Sequence, residues 1–269
     1  MPKMLYKYTT LESLALILKS RKIRLNPLTQ MDDLQEAKSA DAISYAPYVF
    51  ISSWMDEPRE SIAMWKLYSN MTSGVRIGMP EMPFERYIYP AFIVKQRAPH
   101  LYPDGLLLDL SVPINDFLNQ NYTVLNANYS ALLEKVEYSD QADALNPFVF
   151  FDNSEHFTIV PSNLGKIKNT YWEFQKEKRY ILRFLPVNAD KVAASSNQVQ
   201  MVRDSFSNTK TFLDYYDLSI RDDALQQMEI TLAPQFSAGN KVLLNALKEK
   251  YNPSMVITKS TLEGYVKLS

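Results

Sequence analysis

Apolar residues recur at helical spacing near the start of the chain, at Leu11, Leu14, Ala15 and Leu18, with Ile17 widening the stripe. Thr9 or Thr10 precedes the run as an N-cap, so the spacing predicts a helix over "LESLALILKS". The flanking stretches "MLYKY" and "KIRLNP" alternate as strands do; Ile23 and Leu25 share a face and Pro27 ends the second. "PYVFISSW" reads as a buried strand. "SIAMWKLYSN" reads as a helix through Ile62, Trp65 and Leu67/Tyr68, and "GVRIGM" as a strand starting at Gly74. The acidic stretch "LTQMDDLQEAKSAD" predicts a loop and then a short helix. Residues 1–80 therefore follow the order β-α-β-(α)-β-α-β.

From about residue 80 to 165 the pattern loosens, punctuated by Pro80, Pro83, Pro90, Pro99, Pro103 and Pro113. Helices are expected near 114–120 and 126–135, and strands at "FVFFDN" and "HFTIV". This region is read as an insertion or a lid-like subregion. After residue 166 the order sharpens. "GKIKNTYWEFQKE" can be helical, and "KRYILRF", "LDYYDLSI" and "LQQMEITLAP" read as strands. "GNKVLLNALKEKY" is then a helix and "SMVITKST" a strand. Strict βαβ alternation is absent. The expectation is a single α/β (α+β) domain over 1–269, with a mixed, partly antiparallel sheet and flanking helices.

Composition narrows the chemistry. The 269 residues are 46% hydrophobic and 22% charged, values typical of a globular chain. A net charge of −1 supplies no global basic field to draw the protein onto nucleic acid or an anionic membrane. With no cysteine, disulfides, thiolate nucleophiles and cysteine-ligated zinc are excluded. The two histidines, His100 and His156, are far apart in sequence, and no metal is expected. Neither a secretory apolar core in "MPKMLYKYTT" nor a run of ~20 apolar residues is present, which predicts a cytoplasmic chain with no membrane partner. Neither GxGxxG nor GxxxxGK[ST] occurs, which argues against a glycine-rich phosphate cradle.

Three stretches carry candidate chemistry. In "NTYWEFQKEKRYILRF" (169–184), a strand starting at Glu177 would put Glu177, Arg179 and Ile181 on one face and Lys178, Tyr180 and Leu182 on the other. Glu177 would then stand at a strand mouth with Arg179 as its partner, and Trp172 could wall the same pocket. The bland alternative is a solvated helix face of Glu173, Lys176 and Glu177. In "QMDDLQEAK", Asp32, Asp33 and Glu36 are carboxylates that can cap a helix, bind a hard cation or accept a proton. In the third stretch, Trp54, Trp65 and Tyr68 either pack a helix–strand corner or stack on a base or nicotinamide.

Together these stretches resemble the bacterial DUF2971 family, a family of unsettled function. "LYKYTTLESLALILKSRKIRL" is similar to its opening, and "MDDLQE" to its acidic motif. Ser53, Trp54, Met64, Trp65, Tyr68, Gly74, Ile77 and Gly78 match its central block, and Trp172, Phe174, Glu177 and Arg179 its late block. The chain departs at Asp32, where the family has asparagine, at Leu34, where it has proline, and at Gln175, where it has a first glutamate. The layout also looks like that of ADP-ribosyltransferases. That resemblance implies NAD as cofactor, Tyr6, Lys7, Tyr8 and Thr9 under the nicotinamide ribose, and Glu177 as catalytic acid beside Arg179. It also implies Trp65, Tyr68 and Trp172 around the cofactor, and nucleic acid or a protein as target in phage defence or a toxin–antitoxin pair. Two other functions stay open: a non-catalytic binding or sensor module for a nucleotide, and a metal-dependent nuclease using Asp32, Asp33 and Glu36.

Overall fold

A computed structural model describes residues 3–100, 107–152, 156–207 and 213–266. The first strand, β1 (Met4–Thr10), runs directly into helix α1 (Leu11–Ser20). Thr10 makes the junction. Its backbone is extended, and its hydroxyl accepts the Ser13 N–H at 3.2 Å, satisfying one of the helix's orphan donors. Leu11, Leu14 and Leu18 form the buried stripe that the spacing predicts, and Arg21 ends the helix in the left-handed region, at φ 57°. Strand β2 (Lys22–Pro27) then buries Ile23, Leu25 and Pro27.

The main sheet is completed by β3 (Val49–Met55), β4 (Gly74–Pro80), β5 (Thr123–Val124) and β6 (Leu133–Lys135). After them come β7 (Glu177–Leu185), β8 (Tyr216–Ser219), β9 (Glu229–Leu232) and β10 (Val256–Thr258). Its order is β8-β2-β3-β1-β4-β9-β10, while β7 lies along β3 and carries β5 and β6. Every pairing in it is antiparallel except β9 with β10, so the sheet is mixed as expected.

One irregularity of this sheet shapes the molecule. Along one edge, β3 pairs with β7 from Met55–Glu177 to Val49–Arg183. Its other edge is shared. β2 pairs there at Asn26–Ile51 and Pro27–Phe50, and β1 only at Tyr6–Met55. β1 turns away to pair along its whole length with β4, from Met4–Pro80 to Thr10–Gly74. The sheet is therefore split where β1 and β2 part.

Several elements differ from expectation. Residues 126–135 form a short turn at Tyr129–Ala131 and then β6, because pairing with β7 overrides the local helical spacing. The helix near 114–120 is a single turn, Ile114–Phe117. The acidic stretch after β2 holds no α-helix. Asp33 instead bends the chain, its carboxylate accepting the Gln35 N–H at 3.0 Å and its carbonyl the Glu36 N–H at 3.2 Å. The expected helix before β7 is a strand pair at Ile167–Lys168 followed by a 3-10 turn, Thr170–Gln175. Helix α2 (Ile62–Tyr68) buries Met64 and Trp65 but exposes Ile62 and Leu67. Residues of the proline-rich region, among them Leu110, Val112, Val124 and Leu132, belong to the main core. No helix among the described residues is long and apolar enough to cross a membrane.

Candidate functional site

Residues opposite one another in a sheet point to the same side, so register decides which side chains can meet. Tyr6, Met55 and Glu177 lie in one row across β1, β3 and β7, and Ser53 with Arg179 forms the next. Ile51 and Asn26 continue the same face onto β2. These residues, with Tyr8 and Arg24, line a cavity of about 260 Å³. Met64 and Tyr68 of α2 and the 30–36 turn, through Gln30, Met31, Asp32 and Glu36, wall it above the sheet. Lys168 and Gln175 close one side. Lys7 belongs to the opposite parity of β1 and reaches the cavity at the split. There β1 no longer ladders with β3, and Lys7 Nζ donates to the Ser53 carbonyl at 3.1 Å.

The floor holds a buried ionic network centred on Arg179, which is 1% exposed. Its guanidinium bonds Glu177 through Nε (2.6 Å) and Nη2 (3.1 Å). It also bonds Glu36 through both Nη atoms, and the Gly165 carbonyl through Nη1 (2.8 Å). Lys168 Nζ is shared among Gln175 Oε1 (2.9 Å), Glu36 (3.1 Å) and Glu177 (3.3 Å), and the Trp172 ring covers it at 4.7 Å. Gln175 in turn donates to the Tyr68 hydroxyl. The Tyr138 hydroxyl accepts the Glu177 backbone N–H at 2.9 Å. Burial alone would push the Glu177 carboxyl up; Arg179 first and Lys168 next outweigh it and hold it at about 2. Glu177 is therefore an ionised, fully engaged carboxylate.

The charges sort into two sets. Glu36 and Glu177 balance Arg179 and Lys168, and Arg24 is paired with Asp217 at 3.1 Å. Lys7 forms no ion pair among the described residues. Burial lowers its amine to about 8, against the opposing charge of Glu177. Burial, then the charges of Asp32 and Glu177, raises the Tyr68 hydroxyl well above its usual range, so it stays protonated.

The expected site residues divide accordingly. Glu177, Arg179, Tyr6, Lys7, Tyr8, Tyr68, Asp32 and Glu36 all line the one cavity. Glu177 is no part of a solvated face; only Glu173 and Lys176 are exposed. Trp65 does not reach the cavity. It is fully buried edge-on against Tyr8 (4.8 Å, 88°), and its indole donates to Glu60 at 2.9 Å, so it braces Tyr8 rather than stacking on a ligand. Trp172 covers Lys168 from behind and is not a cavity wall, and Thr9 is buried away from it. The helix-cap role for the acidic stretch falls, because no helix follows it. Nor do its acids converge as a cation site: Asp32 is exposed, Asp33 bends the chain, and Glu36 is paired with Arg179 and Lys168. No cluster of three metal-ligating side chains occurs among the described residues.

Lys168 and Gly165 were not foreseen as members of the site. Nothing near them in sequence points to Glu36, which lies more than a hundred positions earlier. Gly165 sits at φ +77°, and an added Cβ would come within 3.3 Å of Val49 Cγ1. Gly165→Ala is thus expected to cost about 1–3 kcal/mol in urea unfolding, through backbone strain and displacement of the carbonyl that holds Arg179. An unchanged midpoint would show that this carbonyl does not set the position of Arg179.

No family model, curated protein or solved structure matches the chain. The likeness to DUF2971 and to ADP-ribosyltransferases therefore rests on the quoted motifs alone.

Proposed function

We propose that the cavity at the sheet split is the recognition site for a nucleotide-class ligand, of which NAD is the first to test. The observation that carries this reading is the register: alternate residues of four strands converge on a single concave site. Tyr6 and Tyr68 offer ring faces, Asn26, Gln30 and Ser53 offer polar groups, and Lys7 offers an unpaired ammonium for a phosphate or carboxylate. At about 260 Å³ the cavity falls just below the ~300–1,000 Å³ typical of drug-sized ligands, so one nucleoside portion fills it.

Titration calorimetry with NAD, AMP and nicotinamide mononucleotide tests the reading. At least one is expected to bind, and Lys7→Met to weaken it about tenfold or more, the loss of one charge-assisted hydrogen bond. Absence of heat and of any melting shift at millimolar concentration for all three would remove it.

A second reading, ADP-ribosyl transfer from NAD to nucleic acid or protein, is favoured by the inward, ionised carboxylate of Glu177 beside Tyr6. Such a charge can stabilise an oxocarbenium-like transition state. One feature weighs against it: both Glu177 oxygens are already taken by Arg179 and Lys168. Nicotinamide release from NAD by the wild-type chain decides between turnover and binding.

A further inference from the structure

Two lysines line the cavity, and they are held in opposite ways. Lys168 is surrounded by two carboxylates and an amide oxygen. Among the described residues Lys7 has one hydrogen bond, to the Ser53 carbonyl, and it lies 5.9 Å from the centre of the Trp54 ring. Carboxylate neighbours favour an ammonium over an amine, whereas a backbone carbonyl accepts from either form. Burial against β3 acts in the same direction, lowering the Lys7 amine to about 8.

We propose that Lys7 is a reactive amine that condenses reversibly with a carbonyl ligand in the cavity. The Nζ lone pair attacks the carbonyl carbon, a C–N bond forms, and the carbonyl π pair moves to oxygen. Both remaining Nζ hydrogens then leave with that oxygen as water, giving an imine without any external oxidant or reductant. The Ser53 carbonyl fixes the direction of approach, and the Arg24 guanidinium, which also lines the cavity, favours carbonyl compounds that carry an anion. α-Keto acids and the open-chain form of an aldose phosphate share that chemistry. The inference does not rest on nucleotide binding, because neither probe contains a base.

The test is reductive trapping on the intact chain, with pyruvate or ribose 5-phosphate in the presence of cyanoborohydride, followed by peptide mass mapping. The expected result is an adduct at Lys7 formed at least tenfold faster than at any other lysine, Lys168 included. Trapping by one probe alone supports the proposal and assigns the source of the carbonyl. Lys7→Arg keeps the charge but lacks the nucleophile; it is expected to lose the adduct while retaining any anion binding that Lys7→Met weakens. Adducts distributed among lysines according to their exposure, or equal at Lys7 and Lys168, would overturn the proposal.

Discussion

Replacing Arg179 with methionine is expected to lower the thermal unfolding midpoint by roughly 10 °C. The guanidinium is buried and supplies hydrogen bonds to two buried carboxylates and one carbonyl. Its removal leaves Glu36 and Glu177 as two buried carboxylates with Lys168 as their shared cation. Breaking a buried ion pair from one side typically costs about 3–5 kcal/mol, and each kcal/mol moves the midpoint of a domain this size by about 2–4 °C. Arg179→Lys should recover only part of the loss, because a point ammonium does not reproduce the planar fork that spans both acids. A shift below about 3 °C for the methionine variant, by calorimetry, would show that the network contributes little to stability.

Acid unfolding is expected to report on Glu177. Its carboxyl is held at about 2 in the fold, against 4.5 for an ordinary glutamate, so the folded state prefers the ionised form. The resulting stability is fully present above about pH 4.5 and is lost as the pH falls toward 2. The displacement corresponds to on the order of 3 kcal/mol. Urea unfolding at a series of pH values should therefore show a steeper loss for the wild type below pH 4.5 than for Glu177→Gln. The glutamine variant starts less stable at neutral pH, since Arg179 and Lys168 lose half their counter-charge, and the two curves should converge in acid. Parallel curves would remove Glu177 as the source. For the same reason, loss of a biological effect in Glu177→Gln assigns chemistry to this residue only where folding at the assay pH is preserved.

Much of the frame was legible along the chain. The stripe of α1, the Thr10 cap and the alternation of Ile23 and Leu25 rest on interactions a few residues apart, and they stand in the structure where the spacing puts them. The same holds for the start of β7 at Glu177, where Lys176 turns in the left-handed region, at φ 44°, and places Glu177 and Arg179 on one face. Local reasoning failed where a distant partner outweighed a weak local preference. Residues 133–135 pair with β7 instead of continuing a helix, and the turn at Asp33 delivers Glu36 to a guanidinium 143 positions away. Trp65 shows another limit: its helical spacing marks it as buried, but only the packing shows that Tyr8 and Glu60 are its neighbours.

By itself the sequence determined the element types and the inward face of β7, because periods of two and 3.6 residues are local properties of the backbone. Tertiary structure alone decided that β1 and β2 separate along β3, and so which alternate residues meet in the cavity. It also decided that Glu177 is tied down by Arg179 and Lys168 while Lys7 donates to the Ser53 carbonyl. Those pairings depend on strand register across the whole chain, and a row of side chains acquires chemistry only when its neighbours have been chosen.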